Sequence, residues 1–262
     1  MTDKLTEPGL TQIGTDPTGQ KTPIDRPFLL VIRHEPCTSL GLLEAAAQRN
    51  CRSIRYWEIA AGESLPAQEI DRFSHLVILG GRMGAYEDAQ YPFLHAEFRF
   101  VEAAIERGIP TLGICLGSQV LARVLGGKAY PGNAGRETGW CEVELTEAAK
   151  DDRLLGEFPS RFNVFQFHQD TFELPPGTVH LAKSATYPHQ AFRYQNHVWA
   201  LQFHLEFDER LLNQCANLLN GELQRSSGLS LKQLFAQAQQ YDRSVGLLAD
   251  RLMQRFLSLP VE

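Results

Sequence analysis

The chain has 262 residues, 43% hydrophobic and 21% charged, which suits a soluble α/β domain with or without an appendage. A formal net charge of −6 and scattered Lys and Arg leave no basic surplus to neutralise phosphates, which argues against a nucleic-acid partner. No apolar run approaches the ~20 residues that a membrane-spanning helix needs, and no hydrophobic signal core opens the chain, so the expected location is the cytoplasm, away from membranes.

Residues 1–26 are rich in Thr, Pro, Gly, Asp and Lys and have little apolar periodicity, as in a flexible tail. Phe28-Leu29-Leu30-Val31-Ile32 is a continuous apolar run of strand length, expected where a strand is buried on both faces of a parallel sheet. A helix is expected over Leu40–Asn50, a strand over Ile54–Trp57, and another over Leu76–Leu79 that stops at Gly80-Gly81. Phe93–Arg107 reads as an amphipathic helix ended by Gly108, and Pro110–Ile114 as a short strand. Strands alternating with helices indicate βαβ units, hence a doubly wound, mostly parallel sheet with flanking helices.

Beyond Gly126 the pattern turns to small antiparallel strands: Cys141–Leu145, Val164–His168 and Val198–His204, with Pro175-Pro176-Gly177 as a turn. From Asp208 the apolar spacing is helical, and Ser226-Ser227-Gly228 is expected to separate helices there. The expected division is a tail over 1–26, an α/β domain over 27–207, and a C-terminal helical extension over 208–262 packed on the same domain.

Five cysteines are present: Cys37, Cys51, Cys115, Cys141 and Cys215. They are odd in number and too widely spaced for a zinc knuckle or a redox pair, so neither a disulfide framework nor a metal site is expected. Cys115 differs from the rest. Gly113-Ile114-Cys115-Leu116-Gly117 joins a buried strand to a helix expected over Ser118–Leu125. A Gly-x-nucleophile-x-Gly turn forces its central residue into strained geometry, which the flanking glycines accommodate. The sulfur then stands at the carboxyl edge of the sheet and at a helix N-terminus, which favours thiolate. The blander reading, a small buried hydrophobe, fits the other four cysteines, which lack this context.

A cysteine hydrolase needs an imidazole and a group that orients it. His204 follows the apolar run Trp199–Phe203, and Glu206 lies two residues on, so in extended chain both point to one side. His168-Gln169-Asp170 is a second His-x-acid arrangement, either a competing pair or part of a substrate pocket. Residue order modestly favours His204.

Gly80-Gly81 after the third strand, Gly113-Ile114-Cys115-Leu116-Gly117-Ser118-Gln119 at the turn, and Gln202-Phe203-His204-Leu205-Glu206 late in the chain together resemble the class I (triad) glutamine amidotransferases. Three separated motifs in the right order carry the resemblance, which runs from about Phe28 to Phe207. Glu137-Thr138-Gly139-Trp140 and the stretch from Phe165 to Phe172 look most like stand-alone members related to the glutaminase domain of GMP synthase. The resemblance implies a flavodoxin-like fold, Cys115 as nucleophile, His204 as general base and acid, and Glu206 as orienter. It implies an oxyanion hole from the N–H groups of Gly81 and Leu116, and substrate contacts from Gln119, Gln169 and Asp170. The implied substrate is glutamine or a γ-glutamyl compound, with no cofactor, and the candidate ammonia acceptor is a separate synthetase subunit. Leu205 and Arg82 stand where family members often have proline. Arg82 raises the question of whether it meets a carboxylate or solvent.

The expected reaction is glutamine amide hydrolysis through a cysteine thioester. Two alternatives within catalysis are γ-glutamyl peptide cleavage and ester or lactone hydrolysis; a third, outside it, is a non-catalytic scaffold retaining the fold.

Overall fold

The computed structural model describes residues 28–50, 53–63, 70–226 and 229–261. The expected tail, Cys51 and the Ser227-Gly228 break lie outside the described residues.

In chain order the elements are β1 (Phe28–Arg33), α1 (Leu42–Arg49), β2 (Ile54–Glu58), β3 (Phe73–Ile78), α2 (Phe93–Glu106), β4 (Thr111–Ile114), α3 (Leu116–Val124), β5 (Ala129–Pro131), β6 (Glu137–Leu145), β7 (Arg161–His168), β8 (Asp170–Phe172), β9 (Thr178–Ser184), β10 (Ala191–Tyr194), β11 (Val198–Leu201), α4 (Glu209–Gln214), α5 (Ala216–Ser226) and α6 (Leu231–Leu257). Nine strands form one sheet in the order β2-β1-β3-β4-β11-β10-β9-β6-β7, and β5 and β8 form a separate ribbon. From β2 to β11 the neighbours are parallel; from β11 to β7 they are antiparallel. The antiparallel strands therefore extend the main sheet, where the sequence suggested small additions to it.

The parallel half is buried on both faces, as its unbroken apolar runs require. In β1, Leu29 and Val31 join one core, shared with α1 and α6. Phe28, Leu30 and Ile32 join the other, shared with α2 and α3. This is the period of two that puts alternate side chains on opposite faces. Helix α6 starts at a capping box made by Ser230 and Gln233. It lays Leu234, Ala238, Val245, Ala249, Leu252, Met253 and Phe256 into the first core, so the C-terminal helices share the core of the sheet.

Two boundaries differ from expectation. Helix α3 begins at Leu116, directly after Cys115, instead of at Ser118. Strand β11 stops at Leu201, so His204 lies three residues beyond it, in an isolated bridge to Phe165.

The turn from β4 to α3 is possible because of its glycines. A Cβ on Gly113 would lie 2.4 Å from the Gly117 carbonyl oxygen, and a Cβ on Gly117 would lie 2.2 Å from that of Ile78. Neither backbone oxygen belongs to a flexible side chain that could move aside. Gly117→Ala is therefore expected to destabilise the fold by about 1–3 kcal/mol or more. Urea unfolding checks this, and an unchanged midpoint would contradict so close an approach of α3 to β3.

Candidate active site

Cys115 occupies the turn at φ 53° and ψ −108°, one of two non-glycine residues with positive φ among the described residues. Such a conformation costs about 1–3 kcal/mol and persists only where its surroundings enforce it. Here they do. The Cys115 N–H donates to the Leu201 carbonyl at 2.8 Å, while its own carbonyl accepts from the Ser118 N–H at 3.0 Å and the Ser118 Oγ at 2.6 Å. The sulfur is nearly buried, at the N-terminus of α3.

His204 is fixed by its backbone, whose N–H donates to the Phe165 carbonyl at 2.9 Å, and by the Phe165 and Phe207 rings on either side, with centroids 5.7 and 5.1 Å away. Its Nδ1 lies 2.5 Å from Glu206 Oε1. The other side of the ring hydrogen-bonds the Cys115 thiol. Gly80 closes the group: a side chain begun there would start 3.2 Å from His204 Cε1 and 3.9 Å from Cys115 Sγ. Burial pulls the His204 pKa down, but the Glu206 carboxylate and Cys115 outweigh it and hold the ring at about 10. At neutral pH the imidazole therefore carries a proton between a sulfur and a carboxylate. Such an arrangement can deliver a nucleophile and a proton to opposite ends of one bond.

Glu206 has a neighbour that the sequence reading missed. Gly41, at φ 48°, opens α1, and a Cβ there would lie 2.0 Å from the Glu206 carbonyl oxygen. The Leu42 N–H donates to that same oxygen at 3.0 Å, so the start of α1 grips the Glu206 backbone. The signal was Gly41 itself, the residue just before the helix proper.

The other candidates line the same pocket, of about 380 Å³, except Leu116, which is buried behind it. A Cβ on Gly81 would lie 2.8 Å from Leu116 Cδ2, so the two backbone positions named for an oxyanion hole are adjacent. As the first residue of α3, Leu116 has an N–H with no acceptor inside the helix. Gln119, one turn into α3, is buried; its Oε1 accepts from the Ala85 N–H at 3.4 Å and its Nε2 donates to Gln202 Oε1 at 3.4 Å. Gln169 is exposed and donates to the Gly132 carbonyl at 3.0 Å. Asp170 accepts from the Tyr86 hydroxyl at 3.2 Å; burial raises its pKa, with that hydrogen bond opposing.

His168 does not compete for the thiol. Its Nε2 lies 3.0 Å from Glu137 Oε2 and its Nδ1 lies 2.8 Å from the Asp170 backbone carbonyl. Arg82 meets a carboxylate, with its Nε 3.2 Å from Glu35 Oε1. Leu205 is fully buried in the core. Beyond the sheet, α5 adds Leu218, Leu219 and Glu222 to the pocket wall, a placement the sequence did not suggest.

The sequence profile of the family Glutamine amidotransferase class-I matches residues 41–215. The chain belongs to the class I glutamine amidotransferases. A glutamine amidotransferase-like protein of Salmonella typhimurium, YfeJ, is 32% identical to this amidotransferase over 66% of this chain and 73% of its own. A glutamine-hydrolyzing GMP synthase of Pyrococcus abyssi, built from separate subunits, has one that is 34% identical over 48% of this chain and 68% of its own. Gamma-glutamyl peptidase 5 of Arabidopsis thaliana is 27% identical over 60% of this chain and 62% of its own, so this chain spans less than two thirds of that relative. The crystal structure of a glutamine amidotransferase from Thermotoga maritima superposes with a TM-score of 0.82 at 35% identity, covering 89% of this chain and 99% of that one. Among the described residues of this amidotransferase, no helix is long and apolar enough to cross a membrane. No group of three or more His, Cys, Asp or Glu side chains there is arranged to hold a metal ion.

Proposed function

We propose that the chain hydrolyses the side-chain amide of glutamine to glutamate and ammonia through a thioester on Cys115. The observation that carries this reading is the unbroken contact from the strained Cys115 turn through His204 to Glu206. Cys115 Sγ attacks the amide carbon and forms the S–C bond. Charge that develops on the carbonyl oxygen is met by the N–H groups of Gly81 and Leu116, and one such donor is worth ~10²–10³ in rate. The C–N bond then breaks as His204 gives its proton to the departing ammonia. Water next loses a proton to His204 and attacks the thioester, which releases glutamate and restores the sulfur. Glu206 keeps Nδ1 protonated, so the other nitrogen faces the reaction throughout.

Asp170, half-buried beside Tyr86, is the proposed partner of the substrate ammonium, with Gln119 and Gln169 completing that end. The likeness to the Pyrococcus abyssi protein favours a separate synthetase subunit to receive the ammonia. The likeness to the Arabidopsis peptidase favours a second reading, in which a γ-glutamyl peptide is cut by the same steps. A paired assay separates them: ammonia released from glutamine against amino acid released from γ-glutamyl dipeptides. Faster turnover of glutamine is the expected result. Faster dipeptide cleavage would replace glutamine as substrate, and turnover of neither would leave the fold without the proposed chemistry.

A further inference from the structure

Behind the Gly80-Gly81 strand lies an ion pair that the proposed chemistry does not use. His34, just past the end of β1, and Glu97, on α2, both have fully buried side chains. His34 Nε2 stands 3.1 Å from each Glu97 carboxylate oxygen. A buried pair of this kind is weak evidence for stability, because desolvation cancels much of its attraction. Its position suggests another role. A Cβ on Gly81 would lie 2.9 Å from His34 Cβ, so the histidine backs directly onto the strand whose other side faces Cys115 and His204. Glu97 occupies Nε2. Nδ1 is buried and has no hydrogen bond of ordinary geometry among the described residues. The acceptor it faces is the Gly80 backbone carbonyl, whose interaction, with those of Glu97 and Glu35, favours the charged ring against the opposing effect of burial.

The Gly80 carbonyl and the Gly81 N–H belong to one peptide unit. That unit is planar and trans, so the two groups point in opposite directions. Holding the carbonyl on one side fixes the N–H on the other. Two adjacent glycines have little backbone preference of their own, so something outside them must set this plane.

We propose that His34, clamped by Glu97, is a positioning residue: its Nδ1–H holds the Gly80 carbonyl and so keeps the Gly81 N–H turned toward the oxygen of the acyl group on Cys115. A long contact in the free enzyme is expected to tighten when charge develops on that oxygen. The inference rests on the glutaminase reading and adds to it the part that orients one oxyanion donor.

The test uses amide geometry. In His34→Gln the side-chain amide still reaches Glu97, but no donor remains at the Nδ1 position. Expected is a ~10- to 100-fold fall in kcat with KM little changed, somewhat less than loss of a whole donor. Alkylation of Cys115 by iodoacetamide, followed by peptide mapping, is expected to keep its rate, because that displacement passes through no oxyanion. A double variant, His34→Asn with Glu97→Gln, restores an N–H near Nδ1 and is expected to exceed the kcat of His34→Ala with Glu97→Gln by ~10-fold or more. This pair also serves if His34→Gln does not fold. Equal kcat in the pair, or a fall in alkylation that parallels the fall in turnover, overturns the proposal. Wild-type protein that releases no ammonia from glutamine sinks the glutaminase reading and this inference with it. Wild-type turnover with an unaffected His34→Gln sinks this inference alone.

Discussion

Cys115→Ala is expected to reduce ammonia release from glutamine by on the order of 10⁴–10⁶ in kcat, the loss typical of removing a nucleophile that acts as one unit with its base. The fold should survive. Alanine at position 115 meets the same positive φ as cysteine does, and the bonds that enforce the turn run through backbone atoms and Ser118. Near-UV circular dichroism and a urea midpoint close to wild type would separate a chemical loss from a structural one. The companion measurement is covalent labelling by 6-diazo-5-oxo-norleucine, a glutamine analogue whose electrophilic carbon replaces the amide. Label is expected on Cys115 alone. This is a demanding result, because Cys215 lines the same pocket and shares a thiol hydrogen bond with half-buried Cys37. Label on Cys37 or Cys215 with Cys115 untouched, or an active Cys115→Ala protein, would remove the nucleophile from the proposal.

Cys115 was legible in the sequence because the demand there is local. Gly113 and Gly117 sit within two residues of the turn, and the backbone oxygens they approach leave room for glycine only. The His204 and Glu206 pair was legible for a reason that proved partly different. Spacing of two suggested a continuing strand, whereas β11 ends at Leu201 and a single bridge to Phe165 carries His204 into place. The side chains meet all the same. His168 shows the limit of such motifs. The nearby acid in sequence is Asp170, but antiparallel register sets Glu137 of β6 opposite His168, and the two side chains pair. No spacing reveals that, because register follows from how two distant strands align. For the same reason the sequence did not indicate that β6, β7, β9 and β10 continue the parallel sheet, that Gly41 reaches the Glu206 backbone, or that α5 contributes to the pocket. Each depends on contacts between segments far apart in the chain.

Glu206→Gln is expected to lower kcat by about 10³–10⁴ while leaving the fold nearly intact. The side chain keeps its volume but loses its charge, and an amide can offer its NH₂ to His204 Nδ1. The ring proton would then sit on the nitrogen facing Cys115, leaving it no lone pair with which to take a proton from water. A second signature tests the cause. The folded-state pKa of His204, about 10, lies above the ordinary histidine value, and the Glu206 carboxylate is the foremost group raising it, against the larger opposing effect of burial. A raised histidine contributes stability fully below about pH 6.5, where both folded and unfolded states bind the proton. Between there and pH 10 the folded state alone retains it, so that contribution declines as pH rises and is lost through pH 10. Removing the carboxylate removes much of this slope. Urea unfolding across that interval is thus expected to show wild-type stability falling more steeply with pH than that of Glu206→Gln. Parallel slopes, together with turnover within about ten-fold of wild type, would mean that Glu206 neither charges nor orients the imidazole. The 2.5 Å contact would then be packing alone.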